Sequence, residues 1–156
     1  MHGESRMNDL EKIVWGALGG IAVYAIGQIV SKLFIEPLYE IRKAVGEVRF
    51  NLGFYAATIH TPIARSKESS DKAQEALMKN SCELIAKLQG IPLFEVTRLL
   101  SFGVLPRRKA IEDAAVQLRG LSTYVHEAGP KAMDSLEVIS KRVAKIEKLL
   151  GLKPLE

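Results

Sequence analysis

Between Ile13 and Ser31 the chain runs through 19 residues without a charge, IVWGALGGIAVYAIGQIVS. After Pro37 the pattern changes, and apolar residues return mainly every third or fourth position. The two patterns predict two kinds of helix. At 1.5 Å per residue the uncharged run spans about 28 Å, close to the ~30 Å of bilayer hydrocarbon. Lys32 can snorkel to headgroups, and Leu33, Phe34 and Ile35 extend the apolar run beyond it. Trp15 at one end and Phe34 with Tyr39 at the other suit interfacial depths. The run therefore predicts a transmembrane helix over 13–35, with a tail over 1–12 and a second domain over 36–156. A cleavable signal peptide fits less well, because its apolar core is shorter and the segment before this one carries acids as well as bases. A core helix of a soluble protein is rarely free of charge over such a length. No cysteine lies near the end of the run, which excludes lipid attachment there.

Pro37 either opens a new helix, where its missing N–H is harmless, or kinks a continuous one. Leu38, Ile41, Val45, Val48, Leu52, Tyr55 and Ile59 then follow helical spacing, with Phe50 and Phe54 widening the apolar face. Glu40, Lys43 and Glu47 form a charged stripe on the same helix. His60-Thr61-Pro62 ends it, since the residue before proline disfavours helix. Residues 61–70 read as a loop, with Ser69, Ser70 and Asp71 as caps for the next helix. That helix turns Leu77, Met78, Ser81, Leu84, Ile85 and Leu88 inward and stops at Gly90. A short helix follows from Pro92 to about Phe102, ended by Gly103. Another begins after Pro106, with Ile111, Ala114, Ala115, Leu118, Leu121, Ser122 and Val125 on its inner face. Gly129-Pro130 separates it from the last helix, whose stripe is Met133, Leu136, Ile139, Val143, Ile146 and Leu150, closed by Gly151. No segment alternates with period two. The expected fold class is all-α: one N-terminal transmembrane helix, then an antiparallel cytoplasmic bundle of four main helices and one short one.

Composition adds limits. Apolar residues make up 47% and charged residues 26%, so the chain is not disordered along its length. The mean hydropathy of +0.07 is high for that much charge, which fits a concentrated apolar segment. One cysteine excludes an internal disulfide, and three histidines leave little for a His-rich metal site. A net charge of +4 is too small and too dispersed to argue for nucleic acid. Lysine and arginine near the ends of the span set its orientation. Arg6 and Lys12 precede it, whereas Lys32, Arg42, Lys43 and Arg49 follow it. The expectation is an N-terminus outside and the C-terminal domain in the cytoplasm.

On a helical wheel, Gly16, Gly20, Tyr24, Gly27, Gln28 and Ser31 share one arc, and Trp15, Leu18, Ala22, Ala25, Ile26, Ile29 and Val30 take the other. The small, polar arc predicts helix–helix packing in the membrane, with Gln28 hydrogen-bonding across the pair. Its partner would be another copy or another membrane protein. A water-lined pore is a sharper version of the same arc. Gly46 and Gly53 weaken an otherwise good helix, and with Ala57 they line up for close packing, inside the bundle or between subunits.

The stretch PLYEIRKAVGEVRFNLGFYAATIHTP after an apolar N-terminal helix resembles a pattern in small uncharacterised bacterial single-pass membrane proteins. The matching residues are Pro37, Gly46-Glu47, Leu52, Phe54-Tyr55-Ala56 and Pro62. The resemblance covers about the first 62 residues. It implies a bacterial inner-membrane location and carries no activity.

No P-loop, GxGxxG, GxSxG or HExxH occurs. His60, His126 and Glu127 are a minimal set for a metal or for acid–base work. Helix capping explains the two histidines as well, so no catalytic, cofactor or metal residue is assigned. Arg107, Arg108 and Lys109 open a helix, where three cations oppose its dipole. The stretch before them, IPLFEVTRLLSFGVLP, is strongly apolar. It either fills the core with Leu93, Phe94, Leu99, Leu100 and Phe102, or lies with the triplet on an anionic membrane face or an acidic partner. The expected function is a non-enzymatic single-span membrane protein without a cofactor. Its cytoplasmic domain mediates self-assembly or partner docking. An oligomeric channel or membrane-perturbing effector is the alternative.

Overall fold

Helical spacing along the sequence is matched by helices throughout a computed structural model, which describes residues 3–61, 66–101, 103, 105–126 and 135–154. Among these residues there is no strand. The helices are α1 (Gly3–Val30), a π-helical turn (Ser31–Ile35), α2 (Glu36–Phe54), α3 (Ala56–His60), α4 (Lys67–Gln89), α5 (Phe94–Leu100), α6 (Arg108–His126) and α7 (Leu136–Leu150). The chain clusters into two units, Met1–Glu36 and Pro37–Glu156.

In the first unit helix α1 begins at Gly3, ten residues before the uncharged run. It passes into the π-helical turn, where the Glu36 N–H bonds to the Ser31 carbonyl five residues back. Pro37 supplies a reason for the wider turn. A proline ring clashes with the carbonyl four residues earlier and offers it no N–H.

In the second unit one core gathers residues from every helix. It takes Ile41, Ala44, Val48 and Leu52 from α2 and Ile59 from α3. Helix α4 adds Ala73, Leu77, Leu84 and Leu88, and α5 adds Phe94. Helix α6 adds Ile111, Ala114, Ala115, Leu118, Leu121 and Val125, and α7 adds Ile139, Val143, Ile146 and Leu150. Helix α6 packs against both α4 and α7. At the α4–α6 seam the buried Ser81 donates its hydroxyl to the Ala115 carbonyl at 2.8 Å. At the α6–α7 seam Arg142 donates to Gln117 Oε1 at 2.8 Å, and its guanidinium lies 5.3 Å from the Tyr124 ring centre. Gly120 makes room for it, since a Cβ there would stand 2.5 Å from Arg142 Nη1.

Polar ties join the remaining helix. Glu40 on α2 meets Lys87 on α4, and Asn51 Nδ2 donates to Asn80 Oδ1 at 3.1 Å. Moving forward along α2 thus means moving backward along α4. Arg49 donates to Glu147 Oε1 on α7 at 3.2 Å and to the Pro154 carbonyl at 3.3 Å.

Several expected boundaries move. Ser66, not Ser69–Asp71, caps α4: its hydroxyl accepts the Ser69 N–H at 3.1 Å, and Glu68 adds a favourable charge to the first turn. The expected 37–60 helix is divided at Tyr55, whose φ of −96° and ψ of 14° leave the helical region. Thr61 before Pro62 leaves the helical region, at φ −122° and ψ 78°, consistent with the disfavoured helix before proline. Gly151 stops α7 in the left-handed region, with Leu152 N–H on the Glu147 carbonyl at 2.8 Å. Met78 is exposed rather than inward, as are Phe50 and Phe54. Phe102, the Gly129-Pro130 break and Met133 lie outside the described residues.

Two outcomes follow from this packing. Leu118 is fully buried at the centre of the α4–α6–α7 contact. Leu118→Ala lowers the unfolding free energy by about 2–5 kcal/mol, whereas Phe50→Ala on the outer face changes it by about 0.5 kcal/mol or less, both read from urea titration. The second concerns pH. The hydrogen bond and charge of Lys87 hold the Glu40 carboxyl below its ordinary range, and Glu40 raises Lys87. A depressed carboxylate stabilises the fold above its unfolded pKa and loses that effect as pH falls through the folded one. A raised lysine stabilises below its unfolded pKa and loses the effect as pH rises through the folded one. Glu40→Gln therefore lowers the thermal midpoint at neutral pH. The deficit closes in acid below about pH 4 and in alkali above about pH 10. A deficit independent of pH excludes the ion pair as its source.

Candidate functional site

Three surfaces bear side chains that the fold does not use. The first is α1. Ile21, Val23 and Ile26 are each more than 60% exposed, and they point in different directions around the helix. Nothing stands within 4 Å of where a Cβ on Gly16, Gly20 or Gly27 would be. Tyr24, Gln28, Ile29, Lys32 and Leu33 line a shallow recess of about 410 Å³. Ile29, assigned by the wheel to the larger apolar side, thus stands beside Tyr24 and Gln28. Ser31 opens the π-helical turn, where a 100° step per residue no longer applies, so the wheel holds only to Val30.

The second surface is the outer side of α2. Gly46, Gly53 and Ala57 are all exposed, and no atom lies within 4 Å of a Cβ placed on Gly46. Beside these small residues Phe50 and Phe54 stack with ring centres 5.6 Å apart, and Tyr55 meets Phe54 edge-on at 4.9 Å. Helical periodicity had both phenylalanines widening the apolar face of the helix, and they stand exposed instead.

The third surface joins α5 to the start of α6. Phe94 and Thr97 turn inward from α5, while Leu93, Val96 and Leu99 face out. Leu93 precedes the helix in the left-handed region at φ 49°, the one such residue other than glycine among those described. A bulky side chain there costs about 1–2 kcal/mol. Beside this face is an open hollow of about 630 Å³ lined by Arg98, Arg107, Arg108 and Lys109, with Glu95, Glu112 and Asp113. Arg98 pairs with Glu95 at 3.7 Å and Arg108 with Glu112 at 3.2 Å. Arg107 and Lys109 are exposed and make no ion pair among the described residues. Of the apolar stretch, Ile91, Phe94 and Leu105 enter the core and Leu93 and Leu99 do not, so neither expected arrangement describes all of it.

Of the residues weighed for acid–base or metal work, the structure describes the side chain of His60. His60 is exposed at the end of α3. Glu127 and the side chain of His126 lie outside the described residues. Among the described residues no three His, Cys, Asp or Glu side chains converge. Cys82 is an exposed free thiol on α4.

Comparison with protein-family models, with curated proteins and with solved structures finds no match. The likeness of residues 37–62 to small bacterial single-pass proteins thus rests on its quoted residues alone.

Proposed function

We propose that this is a non-enzymatic, single-span membrane protein. Its second unit folds as an antiparallel helical bundle on the cytoplasmic side and mediates self-assembly or partner docking. The observation that carries the reading is the apolar surface of α1. The helix is long and apolar enough to cross a membrane, and none of its apolar window is buried. Leaving that surface in water costs about 25 cal/mol for each Å². A bilayer covers a helix on all sides at once, whereas one packed protein face covers only part of it.

Self-assembly is supported by what lipid would satisfy poorly. Gln28 carries an amide that hydrocarbon cannot hydrogen-bond, and Gly16, Gly20 and Gly27 leave space for a second backbone. Outside the span, Phe50 and Phe54 with Gly46 and Gly53 offer ridges beside gaps on one exposed face. The recess formed with Tyr24, Gln28 and Lys32 favours a second reading, an oligomeric channel.

Alkaline carbonate leaves the intact chain in the membrane pellet and detergent releases it. Extraction by buffer alone removes the spanning reading. In a membrane cross-linking assay Gly20→Leu and Gln28→Leu lower the associated fraction, the latter by roughly fivefold for a bond worth ~1 kcal/mol. Unchanged association removes this face from the assembly. Ion flux in reconstituted vesicles, lost with Gln28→Leu, selects the channel, and a verified oligomer without flux selects the scaffold.

A further inference from the structure

Val96 and Leu99 are three apart on α5, and Leu93 precedes its first residue; all three are exposed. Their exposures are 69%, 44% and 78%, among the higher values for large apolar side chains in the second unit. The basic hollow adjoins them, and its two cations without an ion pair are Arg107 and Lys109. Both stand at the start of α6, where the helix dipole repels them. Glu112 offsets Arg108 four residues on, but nothing acidic occupies the first turn of α6. Arg98 adds a further cation at the rim, with its Nε buried and without a hydrogen-bond partner.

An anion outside the second unit would relieve the repulsion at Arg107 and Lys109, and an apolar medium would cover Leu93 and Leu99. A free phosphate supplies only the first. An anionic phospholipid surface supplies both, with headgroups at the level of the cations and acyl chains beneath them for the leucines. The sequence also brings the surface within reach, because the second unit starts at Pro37, two residues after the apolar run ends at Ile35. We infer that the α5 face and the Arg107–Lys109 cluster dock the second unit onto the anionic leaflet of the membrane that α1 spans. This rests on the spanning reading above. Docking holds the unit at a fixed height, so that the α2 faces of neighbouring copies meet in the plane of the membrane.

The test uses the full chain in vesicles of neutral phosphatidylcholine, or of phosphatidylcholine mixed with phosphatidylglycerol. A nitroxide is placed through Leu99→Cys in a Cys82→Ser background, and Cys82 labelled in the parent chain serves as the aqueous reference. In the anionic vesicles the Leu99 probe contacts dissolved oxygen in the lipid and avoids a water-soluble nickel chelate. In neutral vesicles or high salt it returns to water. Arg107→Gln with Lys109→Gln lowers its lipid-to-water ratio roughly thirtyfold, about fivefold for each surface cation removed. Circular dichroism of that exposed double variant matches the parent.

A Leu99 probe that stays in water in both vesicles overturns the docking and assigns the patch to an acidic protein surface. So does lipid contact that ignores the double substitution. Carbonate extraction from neutral vesicles separates this result from the spanning reading. A chain that resists extraction while its probe stays in water keeps the span and loses the docking. A chain released from neutral vesicles but held by anionic ones, with its probe in lipid, keeps the docking and loses the span. A chain retained by neither loses both.

Discussion

Apolar side chains that no part of the chain covers set the terms for everything else in this protein. All but the last of nineteen consecutive uncharged residues lie on α1, and the large ones among them are exposed on all sides. The second unit has no such need, since α2 to α7 enclose a core of their own. The first unit depends on surroundings for its stability, and the second depends on its sequence. The recesses lie open at the surface, and the charged groups around the hollow beside α5 include acids as well as bases.

The two units also use polar groups differently. In the second, polar ties fix how helices cross: Arg142 lies over Gly120, and Arg49 joins α2 to α7 and to the following residues. Each is a long cation laid across a neighbouring helix, so its aliphatic stem packs while its head finds an acceptor. At Gly120 the Arg142 guanidinium lies where a Cβ would stand, so a side chain there would displace the arginine head. In the first unit Gln28 has a polar head with no long stem, which suits contact between helices rather than along one.

The elements of the fold were largely legible, and their outer faces were not. Stripes such as Ile111–Leu118–Val125 and Ile139–Val143–Ile146–Leu150 are long and regular, and a seven-residue repeat leaves one inward side. The cap at Ser66 was hidden because Ser69, Ser70 and Asp71 are equally good capping residues three to five positions later. The break at Tyr55 has no proline or glycine at the position to mark it. Composition is silent on α5, where a helix of seven residues has two apolar sides and tertiary packing chooses Phe94 over Leu93 and Leu99. Phe50 and Phe54 were assigned to the apolar face because they are apolar, and packing of α2 leaves them outside it. The small arc on α1 was readable up to Val30 and lost its register where the π-helical turn begins.

Helix α7 supplies Ile139, Val143, Ile146 and Leu150 to the core and holds Arg49 of α2 through Glu147. Among the described helices it is also the furthest along the chain. The ribosome delivers α1 about a hundred residues before those side chains exist. The apolar helix must therefore find its cover while the remainder is still an open chain. A defect in α7 therefore leaves α1 unchanged and the core of the second unit unfinished.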